Sequence, residues 1–128
     1  MLDVLSATTD QVASPPLVPH EPPIDLTHLY RMTLGDHSLE REVLQLFERQ
    51  AEMLIGRMPG LEPAAVAALA HTLKGSARGI GAWQVARAAE AVEQSAGSGV
   101  ADIARAIGGL ADAARDARTV IADLLKAR

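Results

Sequence analysis

Apolar positions recur at spacings of three and four residues over most of the chain, the period of helices that turn one face to a shared core. Ile24-Asp25-Leu26-Thr27-His28-Leu29 reads as a helix start. Asp25 serves as N-cap and Ile24 packs on Leu29 as a hydrophobic staple, and the short helix runs to about Leu34. Gly35-Asp36 breaks and re-caps the chain. Leu39, Val43, Leu46, Phe47, Gln50, Met53 and Leu54 then mark the inner face of a second helix that reaches about Arg57 and stops at Pro59-Gly60. Pro63 suits the first turn of a third helix, where its missing N–H costs nothing. Val66, Leu69, Ala70, Leu73, Ala77 and Ile80 carry that helix to Gly79-Ile80-Gly81. A fourth begins near Trp83 with Val85, Ala89, Val92 and Ala96 inward, and Gly97-Ser98-Gly99 punctuates its end. The last helix is the most regular, with Ile103, Ile107, Leu110, Ala114, Ala117, Ile121 and Leu124 stepping by four and three. Gly108-Gly109 interrupts it at about 1 kcal/mol per glycine relative to alanine, so a bend or a close contact is expected there.

Short loops between these segments imply antiparallel neighbours. The fold class is therefore all-α: an antiparallel up-down four-helix bundle with a short additional N-terminal helix. Composition agrees, since Tyr30, Phe47 and Trp83 are the only aromatics, alanine is abundant, and β-branched or aromatic runs of the kind that make strands are missing. Five of the seven prolines (Pro15, Pro16, Pro19, Pro22 and Pro23) fall within residues 1–23, where no helical period survives. Those residues read as a flexible Pro-rich leader, and 24–128 as the bundle domain.

Charge and cysteine usage narrow the function. A net charge of -4, with twelve basic residues spread along the chain, gives no footprint for a phosphate backbone, and nucleic-acid binding is not expected. No cysteine is present, which removes disulfides, thiolate metal sites and cysteine nucleophiles. No apolar run approaches a membrane span or a signal peptide, so a cytoplasmic protein without membrane partners is expected. No Glu-x-x-His or i, i+4 histidine pair supports a metal site. His28 and His37 sit at helix starts and are expected to be exposed; Phe47 and Trp83 are expected in core or edge packing.

The third helix carries the remaining chemistry. At 100° per residue its apolar side chains fill an arc about 100° wide, and His71 lands roughly 150° from the centre of that arc, pointing to solvent. Ala64, Ala67, Ala68 and Gly75 form a low floor around it, with Lys74 and Arg78 on the same side. Gly75, at i+4, removes the side chain directly beside the imidazole at about 1 kcal/mol of helix propensity. Lys74, at i+3, is a flexible cation in reach of whatever His71 carries. A hairpin pivoting near Ala82 sets residues summing to about 164 side by side, which pairs His71 with Glu93. A carboxylate there could hold Nδ1–H and leave Nε2 as nucleophile. An exposed histidine with a lysine beside it is ordinarily solvated surface; the coincidence with Gly75 and Glu93 sets this one apart.

These residues resemble the histidine-containing phosphotransfer (HPt) domains of two-component phosphorelays. The pattern H-x-L-K-G-S/A-A/S-x-x-hydrophobic-G is met by His71, Leu73, Lys74, Gly75, Ser76, Ala77, Ile80 and Gly81, and the likeness extends over about residues 24–126. The resemblance implies that His71 is the phosphorylated nucleophile, that Lys74 offsets phosphate charge, and that Gly75, with Ala67, Ala68, Ser76 and Arg78, forms a docking surface. Glu93 is the candidate Nδ1 partner, a position held by glutamine in several members and by glutamate in the phosphotransfer domains of chemotaxis kinases. The implied partners are receiver domains of response regulators and of hybrid histidine kinases, with magnesium on the receiver and no cofactor on this chain. The implied role is a monomeric phosphocarrier that is not an enzyme, since no ATP-binding motif is present. The alternative is a non-catalytic adaptor or inhibitor that binds a kinase or receiver through the same helix face.

Overall fold

The computed structural model describes residues 21–127. Five α-helices follow one another: α1 (Leu26–Met32), α2 (His37–Arg57), α3 (Pro63–Ile80), α4 (Trp83–Gln94) and α5 (Val100–Ala127), with a 3₁₀ turn, Ser95–Gly97, between the last two. No strand occurs among the described residues. The four long helices form the antiparallel bundle, α3 packing most extensively on α4 and α4 on α5, and α1 lies across the end of α3. No described helix is long and apolar enough to cross a membrane. Residues 1–20, most of the leader stretch, lie outside the described residues. Glu21, within that stretch, already touches α4: its carbonyl accepts from Gln84 Nε2 at 2.9 Å, and its carboxylate pairs with Arg87.

The helix boundaries follow from the caps. Asp25 Oδ1 accepts from the His28 backbone N–H at 3.1 Å and Asp36 Oδ1 from Leu39 N–H at 3.0 Å, each satisfying a donor that the first helical turn leaves open. α1 stops at Met32, two residues before the sequence suggests, because the backbone turns left-handed at Leu34 and Gly35 (φ 55° and 73°). At the far end of the bundle Arg41 Nη1 donates to the Leu125 carbonyl at 2.8 Å, tying the start of α2 to the last turn of α5.

Asp25 does more than cap α1. Its backbone N–H donates to the Gly81 carbonyl at 2.9 Å, and its Oδ2 accepts from Trp83 Nε1 at 2.9 Å. One residue therefore fastens α1 to the turn between α3 and α4. Gly81 is left-handed (φ 84°), and a Cβ there would stand 3.0 Å from the Asp25 carbonyl oxygen and 3.1 Å from its Cβ. Only glycine meets both conditions without strain.

The core is aliphatic and rich in alanine. Leu44, Phe47, Leu54, Met58, Val66, Leu73, Val85, Val92, Leu110 and Ile121 are buried, and Ala51, Ala70, Ala77, Ala86, Ala89 and Ala117 fill the places where helices approach closely. The inner faces of α3, α4 and α5 are those read from the sequence, but α2 is rotated. Its buried stripe is Glu40, Leu44, Phe47, Ala51 and Leu54, whereas Leu39, Leu46 and Met53 are exposed. The exposed three lie about 100–140° from the centre of the buried stripe. An alanine and a glutamate took core positions that hydropathy alone assigns to larger apolar neighbours.

Three further expectations need correction. His28 is half-buried, its ring packed edge-on against Trp83 at 4.9 Å, because α1 folds back onto the α3–α4 turn. Gly108 and Gly109 are exposed in an unbroken α5, and a Cβ at either would meet nothing within 4 Å, so no close contact accounts for them. Ala96, expected inward on the fourth helix, falls in the 3₁₀ turn and is half-buried.

Replacing Gly81 by alanine forces an L-residue into the left-handed region, at about 1–2 kcal/mol, and drives its Cβ into the Asp25 backbone. Urea unfolding of Gly81→Ala is expected to show a loss of at least that size, while Gly108→Ala, in open helix, gains up to about 1 kcal/mol.

Candidate functional site

The site is built on the α3–α4 hairpin. Ile80 ends α3, Gly81 and Ala82 make the connection, and Trp83 starts α4, so the turn is too short to let the two helices slide. The Ala82 N–H closes onto the Ala77 carbonyl at 2.9 Å. With that register fixed, a residue eleven before the pivot faces one eleven after it, and His71 meets Glu93.

The His71 side chain is 71% exposed. Its Nδ1 lies 2.9 Å from Glu93 Oε2, and Lys74 Nζ lies 2.6 Å from Glu93 Oε1. An ionised carboxylate only accepts, so in the neutral ring Nδ1 carries the proton and Nε2 the lone pair. Glu93, on the half-buried flank of α4, thus serves a ring N–H with one oxygen and an ammonium with the other. The Lys74 ammonium holds the Glu93 carboxyl below its ordinary value of 4.5, partial burial opposes, and the His71 ring adds to the lowering.

Lys74 is less free than its sequence position suggests. Its side chain is 15% exposed, with the stem folded along the bundle and the ammonium on Glu93, because the carboxylate offers the nearest counter-charge. The floor around His71 is as the wheel places it: Ala67 is half-buried, while Ala68 and Gly75 are exposed. A Cβ at Gly75 would meet nothing within 4 Å, so no packing inside the chain demands glycine there. Arg78 is exposed, two turns along the same stripe, with Nη2 3.8 Å from Glu90 Oε1. Ser76, about 140° round the helix from His71, is half-buried and faces away from the imidazole.

Sequence reasoning missed the apolar surface of the first two helices. Leu26, Tyr30, Met32 and Leu34 are exposed on and just after α1, as are Leu39, Leu46 and Met53 on α2. The last three recur every seven residues, a spacing that marks one continuous stripe and was readable in the sequence as a second apolar face.

The family model for the Hpt domain matches residues 42–126, from the first third of α2 to the end of α5. The chain belongs to the Hpt domain family. Members of this family are histidine phosphotransfer modules that work with receiver domains in two-component phosphorelays, and are phosphocarriers and not kinases. No curated protein matches in sequence. Among solved structures, the X-ray structure of a rice protein described as a histidine-containing phosphotransfer protein is similar, with a TM-score of 0.71 and 20% identity over 81% of this chain and 80% of that one. That likeness carries the Hpt helical-bundle fold.

Glu93 has a native pKa below its unfolded one, so its contribution to stability is complete above about pH 4.5 and is lost as pH falls through the lowered native value. Acid unfolding of Glu93→Gln is expected to show a shallower loss of stability below pH 4.5 than the wild type. Parallel acid limbs would show that the ion pair with Lys74 does not persist in solution.

Proposed function

We infer that this Hpt domain carries a phosphoryl group on Nε2 of His71, receiving it from an aspartyl phosphate of one receiver domain and giving it to the aspartate of another. The observation that supports this most is the pairing of an exposed imidazole with a carboxylate that binds only its Nδ1. The nucleophilic nitrogen is thereby defined before any partner arrives.

The Nε2 lone pair attacks phosphorus in line with the acyl oxygen; the Nε2–P bond forms, the P–O bond breaks, and the aspartate carboxylate leaves. No proton need move during attack, since Nδ1–H stays on the ring, which becomes a cationic phosphoimidazole beside the Glu93 carboxylate. Transfer onward is the reverse. Catalysis here is positioning and charge stabilisation, and magnesium resides on the receiver. Lys74, bound to Glu93 in the resting site, lies one helical turn from His71 and can divide its hydrogen bonds between Glu93 and the phosphoryl oxygens.

Docking uses the alanine and glycine floor, Ala67, Ala68 and Gly75, together with Arg78 and the exposed apolar side chains of α1 and α2. A receiver helix laid over that floor approaches without displacing a side chain, and Arg78 supplies a rim charge. The two receivers belong to a hybrid sensor kinase and a response regulator.

Incubation with phosphorylated receiver domains and magnesium is expected to label the wild type with acid-labile, base-stable phosphate, and His71→Gln not at all. Glu93→Gln and Lys74→Ala are expected to retain labelling at rates lowered about 10-fold or more, the scale of one lost charge-assisted hydrogen bond. Receiver binding without label on the wild type would instead make the chain an adaptor.

A further inference from the structure

Away from the His71 face, the bundle holds an apolar cavity. It lies where the α2–α3 turn meets the start of α5 and has a volume of about 420 Å³. Met58, Leu61, Val66, Val100, Ile103 and Ile107 line it, and no charged side chain does. Two of its walls are unfinished: Val100 is 85% exposed and Leu61 42%. The first turn of α5 thus presents aliphatic carbon to water where a continuation of the core would ordinarily cover it.

We propose that this cavity is the docking site of the chain's own N-terminal segment, with Met1, Leu2, Val4 and Leu5 as the occupants. Three observations select that segment. Glu21 is fastened to Gln84 and Arg87, on the first two turns of α4, which fixes where the preceding twenty residues leave the bundle. From Gln84 the chain must travel at least about 15 Å along α4 before it reaches the level of the cavity. Leu17 and Val18, four and three residues before Glu21, reach at most about 14 Å at full extension and fall short; Leu5, sixteen residues before it, reaches about 55 Å. Second, the segment Met1-Leu2-Asp3-Val4-Leu5 is the densest apolar cluster in residues 1–20, and in a helical turn Met1, Val4 and Leu5 would share one side. Third, every side chain of the lining is apolar, so it suits short aliphatic side chains and not a charged ligand.

Tethering makes weak contact sufficient. A linker of some fifteen residues gives the segment an effective concentration on the order of 1 mM, so an intrinsic Kd near that value fills the cavity about half the time. The cavity is remote from the His71, Lys74 and Glu93 cluster in that it involves only the first turn of α3, and the proposal does not depend on phosphotransfer.

The chain has no cysteine, which permits a single spin label. In full-length protein carrying Ser6→Cys and a nitroxide, methyl signals of Val100, Ile103 and Ile107 are expected to weaken about 2-fold or more, as near half-occupancy requires, while those of Leu39 and Leu46 are spared. Adding the substitutions L2D, V4D and L5D to that chain is expected to restore them. Uniform or absent broadening would overturn the proposal. So would broadening that arises only when spin-labelled chains are mixed with isotopically labelled, spin-free ones, since the occupant would then be a second copy; equal cavity shifts in wild type and the L2D/V4D/L5D variant would overturn it as well.

Discussion

A two-residue connection holds this molecule in register. Gly81 turns left-handed, Ala82 closes onto Ala77, and Asp25 locks the turn from outside through both its backbone and its carboxylate. A longer linker would let α4 slide by a turn against α3, and a slide of one turn, about 5.4 Å, would take Glu93 out of reach of His71. The site thus depends on backbone geometry ten residues away more than on any side chain near it. α1, too short to be stable alone, has its place in the fold as the strap that holds the turn.

Within that register a single carboxylate does two electrostatic jobs. Glu93 orients an exposed ring, and it holds an ammonium that would otherwise lie loose beside that ring. The resting cluster is close to neutral, one carboxylate against one ammonium, so the exposed imidazole is not set in a strong local field of either sign. Its readiness comes from tautomer and orientation. That fits membership of a family of histidine phosphotransfer modules, in which the group handed on must not be held too tightly.

Much of this was legible in the sequence, for identifiable reasons. The α3 face is readable because alanine and glycine on one side and larger aliphatics on the other leave a single interpretation of the wheel, and the hairpin arithmetic works because the glycine that ends α3 stands so near the tryptophan that starts α4. The α2 face is not readable in the same way. Leu39, Leu46 and Met53 make as good a stripe as the true one, and a helix with two apolar faces cannot announce which is inside, least of all when the inner one includes Ala51 and Glu40. His28 was misjudged because its burial is tertiary, created when α1 folds over Trp83. Gly108 and Gly109 show the opposite error: a local oddity suggests a close contact, and none stands within 4 Å of where a Cβ would be.

The alanines of the core have a consequence for how the module behaves as a body. Alanine has no side-chain torsion to freeze, so the interior behind His71 orders with little loss of rotamer entropy, and equally has few alternative rotameric packings to visit. A larger side chain introduced at Ala70, Ala77 or Ala89 could be admitted only by moving a helix. At those alanine positions the packing behind α3 therefore has no side-chain rearrangement with which to yield to pressure on its outer face. The outer surface of α3 can vary in shape and rotamer without disturbing that packing.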